Sequence, residues 1–254
     1  MNHLPFTKAD ITGAELACIT GDPFRVPWMA REMDANAKQI SHTREFAVWL
    51  AHRHDQPIIF ASHGIGGSSL SILVEELALL GILDILRIGT SGAIQSTLQS
   101  GDVVISTASV RLEGVTPFYA PLSYPAVSHP DWVQCLQDAA RKNKVSFHSG
   151  ITASTDSFYP GQQRADTKTR YIIPPWDNAM DMWKHLQVLN YEMESSTLFV
   201  LGSVLGLRTG CLTSVIVERD SDEQLCPTHE KDFQPAWNIT KSALDSWLTD
   251  WKRN

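Results

Sequence analysis

Apolar runs that end in glycine-rich turns and pass into helix-patterned stretches recur along the chain, and this alternation restricts the fold more than any other feature. "LACIT" runs into "GDPFR", and "PIIFASHGIGG" opens "SSLSILVEELALLG". In the latter, Leu70, Leu73, Val74, Leu77 and Leu80 recur at the spacing of one helix face. "ILDILRIGTSGA" repeats the strand-then-glycine design, and "GDVVISTASVRL" and "FHSGITAST" read as further strands. A polar helix is predicted around Asp131 to Lys142 and an apolar one in "SSTLFVLGSVLG". "LRTGCLTSVIVERD" predicts a strand whose tip turns charged, and Phe233, Trp237, Leu244, Trp247, Leu248 and Trp251 predict an amphipathic C-terminal helix. Strands alternating with helices imply an α/β fold whose mainly parallel sheet is covered on both faces. Polar clusters at the strand ends put a site along one edge of that sheet. "IIPPWDN", near Pro174, reads as an inserted loop, so residues 1–254 are expected to form one domain.

Composition narrows the partners. A hydrophobic fraction of 43% supports a sizeable core, and 19% charged residues argues against disorder. A net charge of -7 gives no general attraction to nucleic acid or anionic membranes, so any bound anion needs placed arginines and backbone amides. Cys18, Cys135, Cys211 and Cys226 lie far apart with no CxxC pair, as expected of thiols in a reducing compartment. "MNHLPFTKAD" lacks an apolar signal segment, and no run is long enough to span a bilayer. A cytoplasmic protein is expected.

Several motifs carry candidate chemistry. In "GDPFR", turn amides near Gly21 can cradle an anion and Arg25 can fork onto phosphate; taken alone, the motif is better explained as an ordinary Asp-Pro turn into a helix. Arg87, inside the apolar run of "RIGTSGA", needs an anionic partner, either a ligand or a carboxylate. The loop is neither G-x-G-x-x-G nor a Walker A motif, which disfavours dinucleotides and nucleoside triphosphates. In "NYEMES", Glu192 and Glu194 flank Met193 and could accept from a vicinal diol; alternatively Glu194 caps the next helix and Glu192 is solvated. "FYPGQQR" sets Phe158, Gln162 and Arg164 around a Pro-Gly turn, and a carboxamide offers both a donor and an acceptor to a planar ligand. The acidic run from Glu218 to Glu223 reads as a solvated loop or as a lid whose base, Arg219, enters the site. Together these groups suit a nucleoside bound beside phosphate.

The chain resembles the uridine phosphorylases of the nucleoside phosphorylase superfamily, the hexameric bacterial type. The resemblance runs through "HLPFTKADI", "GDPFRV", "TREF", "GIGGSSLSILVEELALLGI", "LRIGTSGAIQ" and "GDVVISTASVRLEG". It continues in "APLSYPAV", "GITASTDSFYPGQQR", "NYEMESSTL" and "SVIVERD". It implies a single-domain three-layer α/β fold with a mixed central sheet, and phosphorolysis of uridine to uracil and ribose 1-phosphate. It further implies inorganic phosphate as co-substrate, no organic cofactor, and a homo-oligomer, a hexamer built as a trimer of dimers.

By matching positions, phosphate would be held by Gly21, Arg25, Arg87 and Thr90, with Arg44 from the neighbouring subunit. Ribose would meet Glu192, Met193, Glu194 and a neighbour's His3. Uracil would be read by Gln162 and Arg164, packed by Phe158, and closed in by Ile216 and Val217, with Arg219 acting from the lid. A monovalent cation such as K+ would map to Glu45, Ile65 and Ser69 at a dimer interface. In this reading Gln162, Arg164, Arg219 and Arg87 are the catalytic groups. Three departures from the family pattern bear on base preference: Glu218 in place of Asn, Ala165 in place of Tyr, and the acidic run. Purine, 2′-deoxyribose or 5-substituted uracil substrates, a nucleosidase, and a non-catalytic nucleoside-binding homologue therefore stay open.

Overall fold

The strand-turn-helix units form where the pattern places them. The computed structural model describes residues 1–219 and 229–251, with side chains from residue 233 onward in the second stretch. Of the acidic run from Glu218 to Glu223, residues 220–223 lie outside the described residues, as does Cys226. β1 (Leu16–Thr20) leads into α1 (Arg25–Met33), and a meander follows of β2 (Lys38–Thr43), β3 (Phe46–Arg53) and β4 (Gln56–Ser62). Next come α2 (Gly67–Leu79), β5 (Asp84–Ala93), β6 (Val103–Leu112), the short β7 (Ala126–Val127), α3 (Pro130–Asn143) and β8 (Phe147–Thr155). The chain continues with α4 (Ala179–His185), β9 (Val188–Glu192), α5 (Ser195–Leu205), β10 (Arg208–Glu218) and α6 (His229–Ser246).

All the strands join one mixed sheet. β1 pairs in parallel with β4 and β5, and the β2–β3–β4 meander extends that edge antiparallel. At the other end the sheet curls. β10 bonds to both β5 and β6, while β6–β8–β9–β5 links the same two strands, so five strands close into a ring. Register shifts at Ser106/Ala108, Ile151/Thr152 and Val215/Val217 supply the curvature that closure needs.

The helices cover two large cores, one on each face, and α4 packs on a smaller one with Val188 and Tyr191. The predicted stripe of α2 is inward: Leu70, Leu73, Val74 and Leu77 are fully buried, each contributing about 1.5–3 kcal/mol of transfer free energy. They pack with α5, whose first eight residues are all buried. On the other face α1, α3 and α6 cover the sheet, and Trp132 stacks on Trp247 at 3.6 Å. The "IIPPWDN" stretch holds a short 3-10 turn, Trp176–Asn178, leading into α4. Among the described residues no helix is long and apolar enough to cross a membrane.

A buried polar ladder crosses the ring. Ser106 meets Thr152 at 2.7 Å, Thr152 donates to Asn190 Oδ1 (2.8 Å), Asn190 donates to Thr213 (3.0 Å), and Thr213 donates to Ser91 (3.0 Å). Each group is satisfied by the next, which avoids the cost of orphaned polar atoms.

Candidate active site

One cavity of about 530 Å³ opens at the ends of β1, β4, β5, β9 and β10 and against the loop after β8. Gly21, Arg25, Arg87, Thr90, Phe158, Gln162, Arg164, Glu192, Met193, Glu194, Ile216 and Val217 all line it.

The anion side comes from two turns in contact. Gly21 follows β1, and a Cβ there would meet the carbonyl of Gly64 at 2.9 Å, so only glycine allows the turns after β1 and β4 to touch. Arg25 begins α1, 3.8 Å from Asp22 and 4.2 Å above the Phe233 ring. Arg87 lies flat on Gly89, where a Cβ would fall 2.8–2.9 Å from the guanidinium. Its Nη2 donates to Glu194, its Nη1 lies 3.1 Å from Glu192 and 3.3 Å from Cys211 Sγ, and its Nε is 3.4 Å from His63 Nε2. Burial works against this charge, yet Glu194, Cys211 and Glu192 outweigh it and raise the Arg87 pKa. The anionic partner that the apolar run demanded is thus a pair of carboxylates, with the cavity beside them.

Neither carboxylate is solvated or caps a helix in the way considered above. Glu192 is 3% exposed and accepts from the amides of Glu194 (2.8 Å) and Ser195 (2.9 Å) and from the Ser195 hydroxyl (2.5 Å). It is Glu192, the end of β9, that satisfies the first amides of α5. Glu194 is 5% exposed, accepts from Gly66 N at 2.5 Å, and has its pKa raised by burial despite Arg87.

In the loop after β8, the two glutamines of "FYPGQQR" divide their work. Gln162 is 3% exposed and lines the cavity, and among the described residues its carboxamide has no hydrogen-bond partner. Gln163, in left-handed backbone at φ 54, turns away and accepts from Met180 N (2.5 Å), tying the loop to α4. Arg164 lies 4.1 Å over the Phe158 ring. Ile216 and Val217 line the cavity together although they are consecutive in β10. The bulge between Val215 and Val217 leaves Ile216 unpaired, which breaks the alternation that would otherwise send them to opposite faces.

Of the other candidates, Ile65 alone is among the lining residues. Arg219 donates to the Gln162 carbonyl (2.6 Å) and crosses Gly92, so it braces the loop after β8. Glu218 accepts from Ser100 N at 3.0 Å. Ala165 is exposed and is not among the lining residues. Arg44 is exposed on the β2–β3 turn at φ 55. Glu45 accepts from Ser69 at 2.7 Å, with the exposed Ile65 on the adjoining turn. His3 is held by Glu76 of α2, which also accepts from the amides of Asn2 (3.0 Å) and Leu4 (2.7 Å).

Sequence reasoning assigned no role to His63, Tyr191 or Glu76. A histidine ending an apolar strand just before a glycine turn was the available signal for His63. Tyr191 lines the cavity, and burial pushes its pKa up to about 12.

Glu76 yields a pH prediction. Burial alone would raise its pKa, but the Leu4 amide, the His3 ring and the Asn2 and His3 amides outweigh that and lower it. A lowered carboxylate pKa gives stability that is present above the unfolded value, about 4.3, and lost as pH falls through the folded one. Glu76→Gln is expected to cost about 1–3 kcal/mol at neutral pH and to speed proteolysis of the N-terminal arm. Thermal unfolding from pH 7 to pH 3 should show this gap closing in acid; a constant gap contradicts the account.

The model of the phosphorylase superfamily matches residues 15–244. The chain belongs to that superfamily. It is 48% identical over 221 residues to the uridine phosphorylase of Escherichia coli, covering 87% of each chain. Its identity to the uridine phosphorylase of Haemophilus influenzae is 47% over the same length, again 87% of each. The guanosine phosphorylase of Halorubrum lacusprofundi is 32% identical over 250 residues, 95% of this chain and 97% of that one. For a member of this superfamily, the mixed α/β sheet with its strand-end cavity is the expected frame.

Proposed function

We propose that the chain catalyses reversible phosphorolysis of uridine to uracil and ribose 1-phosphate, working as a single domain. The observation that carries this reading is the order of groups around one cavity: Gly21, Arg25, Arg87 and Thr90, then Glu192, Met193 and Glu194, then Phe158, Gln162 and Arg164. Phosphate sits on the first set, ribose on the second and uracil on the third. A phosphate oxygen attacks C1′ as the C1′–N1 bond breaks, and the bonding pair leaves with the base, which takes a proton from solvent. The three sets act by positioning and by preorganised charge, so no organic cofactor enters.

Gln162 can accept from uracil N3–H and donate to a carbonyl, while Arg164 donates to O4, where negative charge gathers. Cytosine would set an amino group against that donor. Arg44 and His3 lie outside the cavity lining and are read as reaching a neighbour's site. Glu45, Ser69 and the Ile65 carbonyl offer oxygen donors alone, the set a hard monovalent cation takes. The hexamer, built as a trimer of dimers in cytoplasmic pyrimidine salvage, rests on likeness to the uridine phosphorylases.

Base release from a nucleoside panel, with and without inorganic phosphate, tests the reading. Uracil is expected from uridine only when phosphate is present, with cytidine slower by a factor on the order of 10³ or more. Release without phosphate would make the chain a nucleosidase, and faster release from guanosine would move its substrate to purines.

A further inference from the structure

His63 lies behind the cavity rather than in it. It is fully buried at the end of β4, its Cε1 is 3.7 Å from where a Gly21 Cβ would stand, and its Nε2 is 3.4 Å from Arg87 Nε. We propose that His63 is a positioning residue that holds the Arg87 guanidinium in the plane that phosphate needs. This rests on the phosphorolysis reading above.

The argument runs around the perimeter of the guanidinium. One face is closed by Gly89. The Nη edge is taken by Glu194, Glu192 and Cys211. Those contacts engage the Nη atoms and leave Nε without an acceptor. His63 Nε2 supplies one, a further fixed point for the guanidinium plane.

The identity of this acceptor matters. Arg87 already faces two carboxylates, and phosphate must bring further negative charge to the same guanidinium. A third carboxylate at Nε would bury excess negative charge and repel the substrate. A neutral imidazole accepts without adding charge. Accepting at Nε2 puts the ring proton on Nδ1, which has the Gly64 backbone beside it but does not close to full hydrogen-bond geometry. Burial, and then the charge of Arg87, keep the His63 pKa well below its ordinary value, so the ring stays neutral and able to accept.

The test compares His63→Gln, whose amide oxygen can reach Arg87 Nε, with His63→Met, which fills a similar volume and offers no comparable acceptor. Separate KM values for phosphate and uridine are the readout. His63→Met is expected to raise phosphate KM roughly tenfold to hundredfold, the range for a lost hydrogen bond to a charged group. Uridine KM should stay within about threefold, and His63→Gln should return phosphate KM to within about threefold of wild type. If His63→Met does not fold, His63→Asn takes its place, because its shorter side chain stops short of Nε. Equal phosphate KM in the acceptor-bearing and acceptor-lacking variants overturns the proposal, whether both are normal or both impaired. A wild-type protein without phosphate-dependent uracil release would instead sink the functional reading. Calorimetric titration with inorganic phosphate alone would still report whether His63→Met weakens anion binding.

Discussion

Arg87→Met is expected to abolish phosphate-dependent turnover and to lower the melting temperature in the same protein. The side chain is 3% exposed and touches Glu192 and Glu194, which are themselves 3% and 5% exposed. Removing the cation leaves two buried carboxylates without their counter-charge, a loss of about 3–5 kcal/mol. At about 2–4 °C per kcal/mol for a chain of this size, the melting temperature should fall by on the order of 10 °C.

The pH dependence identifies the cause. Burial already raises the Glu194 pKa, and Arg87 is what holds it down. Without Arg87 the folded-state pKa climbs further above the unfolded value. Such a carboxyl favours the fold while protonated and loses that contribution as pH rises through its folded pKa. Arg87→Met should therefore be less destabilised at pH 5 than at pH 8. Adding Glu194→Gln should recover stability at pH 8 and leave turnover absent, because the phosphate donor is still missing. Wild-type melting and phosphate KM in the single variant would remove Arg87 from both roles.

The fold was legible wherever a local pattern reports a local outcome. The α2 stripe and the β5 run carry their burial in their periodicity, and the structure follows them; the C-terminal aromatic pattern is shared between α6, with Phe233 and Trp237, and a π-helical turn, Trp247–Trp251, that continues it. Ring closure is different in kind, because β10 pairs with β5 and β6 through contacts far apart in the chain. No stretch of β10 announces that it will do so. β2 was missed for a related reason: its exposed and half-exposed residues give no two-residue alternation.

At the site, the solvation cost of Arg87 in an apolar run pointed to an anionic partner. Which anion was undecidable locally, since Glu192 and Glu194 arrive from a strand paired to β5 only in the fold. Their crowding also inverted the capping expectation: Glu192 takes the amides of α5, and Glu194 is left for Arg87 and Gly66. The bulge at Ile216 likewise depends on what lies beside β10 rather than on its own residues.

Arg164→Ala is the second large effect expected, a loss of about 10²–10³ in kcat with phosphate KM little changed. The reason is where charge develops. Arg25 and Arg87 lie at the start of α1 and on β5, whereas Arg164 lies on the loop after β8, at the proposed base end of the same cavity. In the proposed reaction, phosphate binding does not need it. The bond-breaking step does, because the departing uracil carries an electron pair that only a fixed donor can stabilise without reorganisation. Arg164 is 5% exposed and stacked on Phe158, so it is held in place before the reaction begins.

Truncation to Ala also removes that stacking, so Arg164→Met serves as the packing control; it keeps the apolar stem and loses the charge. Both variants should be slow if the guanidinium acts on the leaving base. A more acidic leaving group gives an independent check, since 5-fluorouracil bears the negative charge better by itself and should lose less to either substitution. With 5-fluorouridine the penalty should shrink by roughly tenfold relative to uridine, the equivalent of about 1.4 kcal/mol less demand on the enzyme. Equal penalties for the two nucleosides would mean that Arg164 supports the shape of the pocket, with the charge of the leaving base borne elsewhere.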